Sequence, residues 1–179
     1  MKSQSLAERH GWAKYVAHQV YYSLLDRDYE WELLPLAQDQ GIGAMVWSPL
    51  AMGQLTGKIR HGQAPQPGTR AHDLAGGAST DQDQRLFAII AALDSLVEET
   101  GRTIPQIALN WLLRQPSVAN VIIGARNVQQ LVANIGAVGW SLTTEQVARL
   151  AVASDVRPSY PTAHQRRFAM LDERSSANN

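Results

Sequence analysis

The chain has 179 residues, 45% hydrophobic and 18% charged, a composition that suits one folded domain with an apolar core rather than a disordered chain. Sixteen basic residues balance sixteen acidic ones, so the concentrated positive field that nucleic acids and anionic membranes attract is missing. No cysteine is present, which excludes disulfides, thiolate metal sites and cysteine nucleophiles.

Lys2, Glu8, Arg9 and Lys14 interrupt the first residues before a signal-type apolar stretch can form. No apolar run approaches the roughly 20 residues of a membrane helix, so the expectation is a cytoplasmic protein. Tyr15 to Tyr21, rich in Tyr and Val, predicts a short strand. Trp31 to Gln40 predicts a helix with Leu33, Leu34, Leu36 and Ala37 on its apolar side, and Gly41 stops it. Ile42 to Trp47, a compact apolar run before Pro49, suits a strand buried on both faces. From Ile59 to Ala78 the composition turns to Gly, Pro, His and Arg without periodicity, the mark of a long loop.

Leu86, Ile89, Ile90, Leu93, Leu96 and Val97 recur at helical spacing, and Gly101 ends that helix. Thr103 and Pro105 then supply an N-cap and first turn for a helix through Ile107, Ala108, Trp111 and Leu112. Val118 to Ile123 reads as a third buried strand. Asn127 caps a helix with Val128, Leu131, Val132 and Ile135 expected on its inner face. Thr143 and Gln146 form a capping-box pattern opening a last helix, with Val147 and Leu150 facing inward. Residues 154–179 read as a polar, Pro-containing surface tail. Strands alternating with helices indicate parallel βαβ units, and about three strands look like part of a larger α/β fold.

In parallel α/β folds ligands gather at the C-terminal ends of strands. Three such ends carry suggestive residues here: Gln19, the Trp47-Ser48-Pro49-Leu50 run, and Gly124-Ala125-Arg126-Asn127 leading into a helix. At the last, a glycine admits a ligand close to the backbone, a helix N-terminus offers N–H groups to an anion, and Arg126 can clamp a phosphate. An ordinary strand-to-helix turn with a solvated arginine is the competing reading. Trp47 could stack on a flat ring or simply fill a core. Ser48 lacks the flanking glycines of a nucleophile elbow but can donate to a phosphate oxygen.

The segment Gly53 to Lys58 resembles a P-loop, yet it is one residue short and Ile59 stands where a Ser or Thr should bind magnesium. Lys58 and Arg70 flank the long loop, either reaching an anionic ligand or solvated. The histidines His10, His18, His61, His72 and His164 show no metal-ligand spacing. Asp81 and Asp83 suit a helix start, where acidic residues complement the dipole.

Taken together, Gln19 to Leu24, Val46 to Ala51 with Leu55 to Lys58, Pro105 to Trp111, and Ile122 to Asn127 with Gln129 to Leu131 resemble the aldo-keto reductase family, in particular bacterial members related to the potassium-channel β-subunit. The similarity runs from about Leu6 to about Arg167. It implies the C-terminal part of a (β/α)8 TIM barrel, three to four βα units of an incomplete barrel, binding NADPH. By that resemblance Gln19 would hold the nicotinamide carboxamide and Trp47 would stack on its ring. Ser48, Pro49, Leu50 and Ala51 would line the pyrophosphate, helped by Lys58 and Arg70. Gly124, Arg126 and Gln130 would surround the 2′-phosphate, with Asn134 near the adenine.

Two departures stand out. Ala133 occupies a position that is commonly Glu in such relatives. The family's catalytic Asp, Tyr, Lys and His lie on earlier strands, upstream of this sequence, and Met1 falls within the helix before the sixth strand. A full barrel needs about 250 residues. The resemblance therefore implies NADPH-dependent reduction of a small carbonyl substrate, with this chain supplying the cofactor half. The alternatives are a non-catalytic NADP(H)-binding or interaction module, or an inactive truncated remnant. Self-association or an N-terminal half-barrel partner is expected, because an open half-barrel exposes strand edges.

Overall fold

Three short strands organise the described residues: β1 (Ala17–Tyr21), β2 (Gly43–Trp47) and β3 (Val118–Val121). They form one sheet in the order β1-β2-β3, and both pairings are parallel. The computed structural model describes residues 1–60, 81–165, 167 and 168. Most of the expected 59–78 loop, Arg70 included, and much of the tail lie outside those residues.

Parallel neighbours need crossover connections, and helices supply them. Helix α1 (Lys2–His10) precedes β1. A 3-10 turn over Asp28–Glu30 and α2 (Leu33–Gln40) join β1 to β2. A kinked turn over Ala51–Thr56 follows β2. Helices α3 (Asp81–Thr100) and α4 (Ile104–Leu113) then lead to β3, and α5 (Val128–Ile135) and α6 (Thr144–Ala153) follow it. This is the βα alternation of a partial (β/α)8 barrel, with an open three-stranded sheet.

The ends of these elements follow local chemistry. Thr103 and Thr143 each accept from the backbone N–H three residues on, and Gln106 and Gln146 reach back to complete both capping boxes. Asn127 caps α5 by accepting from the Gln130 N–H at 2.9 Å. Strand β1 starts two residues later than the apolar run suggests. The Gln4 side chain takes both the N–H and the C=O of Tyr15, at 2.9 Å each, leaving Tyr15 nothing to share with a strand. The expected helix from Trp31 likewise opens later, because Asp28–Glu30 form their own tight turn first.

Among the described residues the core lies on one side of the sheet. Val20, Ala44 and Val46 are buried against Leu86, Ile89, Leu93, Ile107 and Trp111 from α3 and α4. The alternate residues, Gln19 and Tyr21 on β1 with Met45 and Trp47 on β2, pair in register on the opposite face. That face is open: Gln19 is exposed and Trp47 retains 41% of its accessible surface. The expectation that β2 is buried on both faces is therefore corrected. Each strand face needs its own covering layer, and helices cover one.

A second correction concerns α5. Its apolar residues share a face as expected, but that face is not inward. Val128 is 70% exposed, Val132 63% and Ile135 52%, and no residue of the helix is buried. Periodicity groups side chains on a face without supplying the element that covers it.

A buried polar cluster ties the first crossover to the last helix. Arg27 forms a bidentate pair with Glu30 at 2.7 and 2.8 Å. The same guanidinium donates to the Ala151 carbonyl at 2.7 Å and the Ser154 hydroxyl at 3.0 Å, and lies 5.5 Å above the Trp111 ring. Tyr22 completes the cluster by donating to Glu30 at 2.7 Å. Among the described residues no helix is long and apolar enough to cross a membrane.

Candidate functional site

The site forms where two strand ends meet. Beyond β2 the backbone turns sharply: Ser48 (φ 53°), Ala51 (φ 47°) and Met52 (φ 55°) all adopt the left-handed region, followed by Gly53 at φ 94°. Left-handed backbone costs a non-glycine residue of order 1–3 kcal/mol and tends to cluster at functional loops. The turn is closed internally, with the Ala51 N–H on Ser48 O at 2.9 Å and the Gly53 N–H on Leu50 O at 2.9 Å. Ala51–Thr56 is a kinked turn rather than a strand-to-helix phosphate loop, with Met52 and Gly53 outside helical geometry and Gly57 at its end also left-handed.

Beyond β3, Ile122 extends the parallel ladder by one bond to Val46 O at 2.7 Å, and the chain then enters the Gly124–Asn127 turn before α5. The Gln130 side chain accepts from the Arg126 N–H at 2.9 Å, so Gln130 pins this turn. A Cβ at Gly124 would meet no atom within 4 Å, which leaves the backbone there open to a ligand.

Between the two turns lies a cavity of about 730 Å³. Ser48, Pro49 and Leu50 line one wall, and Gly124, Arg126 and Gln130 line the other. Lys58 and Asn134 also reach it. Two cationic side chains, Lys58 and Arg126, and no carboxylate stand among the described lining residues. Such a concave, partly apolar, cationic site suits an extended anion with flat rings.

The structure thus brings eight of the sequence-selected residues to one cavity. Three others lie apart from its lining. Ala51 is fully buried in the core, while Gln19 and Trp47 stand on the open sheet face beside it. Thr56, Pro105 and Ile122 line the cavity as well and carried no chemical signal in the sequence. Neutral wall residues are recognisable only once the fold brings them together. A His–Tyr pair exists elsewhere: His18 Nε2 lies 3.4 Å from the Tyr29 hydroxyl. Tyr29 belongs to the buried core, and burial lowers the pKa of His18 below its ordinary value.

A cavity at the C-terminal ends of parallel strands, walled by a strand-to-helix turn and a basic side chain, lies where α/β barrel proteins place their ligands. The chain belongs to the aldo/keto reductase family, whose family model matches residues 2–155. It is 40% identical over 126 residues to a Schizosaccharomyces pombe protein named "Putative voltage-gated potassium channel subunit beta", covering 69% of this chain and 37% of that one. It is 39% identical over 145 residues to a Bacillus subtilis protein named "Uncharacterized oxidoreductase YrpG", covering 81% of this chain and 42% of that one. The chain therefore spans about two fifths of the length of these relatives.

Proposed function

We propose that this chain supplies the NADP(H)-binding part of an aldo-keto reductase barrel that reduces a small aldehyde or ketone. The observation that carries this reading is the cationic cavity, with Lys58 and Arg126 facing it and no described lining carboxylate to repel a phosphate. When bound, NADPH supplies the hydride for a carbonyl carbon.

The residues divide the binding work. Arg126 takes the 2′-phosphate as a charge-assisted, bidentate partner, and the open backbone at Gly124 lets that phosphate approach. Gln130 holds the turn that presents Arg126, consistent with its bond to the Arg126 N–H. Asn134 borders the adenine. Ser48, Pro49, Leu50 and the backbone of Ala51 line the pyrophosphate, with Lys58 and Arg70 neutralising it. Trp47 stacks on the nicotinamide ring and Gln19 holds its carboxamide.

The described cavity lining offers no His, Tyr, Asp or Glu to move a proton. That favours a division of labour: the 179 residues alone bind cofactor and show negligible carbonyl reduction. The open sheet face and the bare side of α5 are covered by the further βα units of the family barrel, a fit supported by strand edges at both β1 and β3. Self-association through the same surfaces is the rival outcome.

Titration of the pure chain with NADPH, followed by Trp fluorescence, tests the proposal. Quenching that disappears in Trp47→Ala supports it. Absence of binding rejects the cofactor reading, and carbonyl-dependent NADPH oxidation by the chain alone rejects the division of labour.

A further inference from the structure

The open sheet face carries an aromatic pair beside the cavity. Tyr21 and Trp47 are register partners at the ends of β1 and β2. Their rings stack with centroids 4.6 Å apart and planes 28° from parallel. Trp47 still keeps 41% of its surface exposed, so one side of the indole is backed by Tyr21 while the side chain remains open to a ligand. Ser48, the next residue in the chain, lines the cavity, so the indole stands one residue from its wall.

Tyr21 is itself fixed at both ends. Its backbone belongs to β1, and its hydroxyl donates to Asp26 Oδ2 at 2.6 Å. Asp26 sits in a closed turn: Ser23 N–H bonds Asp26 O at 3.0 Å, and Asp26 N–H bonds Ser23 O at 3.2 Å. The Ser23 hydroxyl also accepts from the Leu25 and Asp26 N–H groups at 3.1 Å each. Ser23, Leu24 and Leu25 are fully buried, so this anchor is part of the packed body of the protein. Partial burial, then the Asp26 carboxylate, raise the Tyr21 pKa well above the ordinary tyrosine value, so the hydroxyl stays a donor.

We infer that Tyr21 is a positioning residue: anchored through Asp26, it holds the Trp47 indole in the orientation that receives the flat ring at one end of a dinucleotide. This deepens the cofactor reading above and rests on it. An indole free to rotate must lose rotamer entropy when a ring docks, whereas a backed indole has already lost it. The gain is confined to ligands that carry the ring.

The test compares NADPH with adenosine 2′,5′-bisphosphate, which keeps the 2′-phosphate and the adenosine-side phosphate and lacks the nicotinamide half. Tyr21→Leu and Tyr21→Thr remove the backing ring from a half-buried strand position, and Tyr21→Phe keeps it while losing the Asp26 bond. With far-UV circular dichroism unchanged, the two truncations should weaken NADPH about threefold to tenfold, in line with one aromatic stack. They should leave the bisphosphate unchanged, and Tyr21→Phe should stay within about threefold of the parent, the size of a weakened stack. The near-UV signal of the Tyr21–Trp47 pair should fall in the truncations. NADPH affinity unchanged by both truncations, or both ligands weakened equally in folded variants, overturns the inference. If the parent chain binds neither ligand, the cofactor reading fails and this one falls with it.

Discussion

Asn110, on the buried side of α4, accepts a hydrogen bond from the Leu142 N–H through Oδ1 at 2.9 Å. Its Nδ2 donates to the carbonyls of Ala137 and Trp140, each at 2.9 Å, so one buried amide satisfies three backbone groups of the α5–α6 connection. Asn110→Ala should lower stability by about 3 kcal/mol or more, since a buried group left unpaired costs about 1–3 kcal/mol and three backbone groups lose their partner at once. Asn110→Asp should be worse at neutral pH, because a carboxylate would face two carbonyl oxygens. Urea unfolding of the variants checks both, and a loss under 1 kcal/mol for the alanine variant contradicts the assignment.

The Arg27–Glu30 pair supports a second prediction. Both side chains are nearly buried, at 12% and 11% exposure. Glu30→Ala leaves a buried guanidinium without its carboxylate and should cost about 3–5 kcal/mol. Replacing both partners by apolar residues should cost less than the sum of the single changes, because the second change removes the unpaired charge. A double-mutant cycle in urea measures that coupling.

Much of the scaffold was legible in the residues themselves. Thr103 with Gln106 and Thr143 with Gln146 announce helix starts because capping is local chemistry, and Gly41 and Gly101 mark stops because each sits at positive φ. The strand ends that form the cavity were legible through the resemblance of the flanking motifs. What stayed hidden depends on distant partners. The Gln4 side chain cutting β1 short at Tyr15 involves residues eleven apart, and Asn110 reaches across about thirty. The bare face of α5 could not be read, since amphipathic spacing says which side chains align and not what packs on them. Nor could the left-handed run at Ser48, Ala51 and Met52, where non-glycine residues occupy glycine-type backbone.

Alkaline pH should destabilise the fold through Tyr22. Burial, then the adjacent Glu30 charge, raise its pKa far above the ordinary tyrosine value. Below about pH 10 the hydroxyl is protonated in both folded and unfolded chains, and the stability it contributes is intact. Above that the unfolded chain releases its proton first. The unfolded state then binds fewer protons, and stability falls by up to about 1.4 kcal/mol per pH unit for this group. Urea midpoints at pH 9, 10 and 11 should show the decline, and Tyr22→Phe should flatten it. An unchanged slope in that variant would assign the loss to other groups.

The uncovered side of α5 predicts association. Val132→Lys with Ile135→Glu should reduce self-association or hydrophobic-dye binding, while changing stability by less than about 1 kcal/mol because both positions are exposed. Sedimentation velocity of parent and variant distinguishes the cases. A monomeric parent that binds no dye would mean that these side chains need no cover.

The proposed role of the cavity between the β2 and β3 ends is to grip a 2′-phosphorylated dinucleotide. Calorimetric titration of NADPH and NADH into the parent chain and into Arg126→Ala tests it most directly. The parent should prefer NADPH by about tenfold to a hundredfold, as expected for one charge-assisted phosphate contact, and Arg126→Ala should erase most of the preference. Equal affinity for the two nucleotides in the parent, or a preference that survives the loss of Arg126, would contradict it.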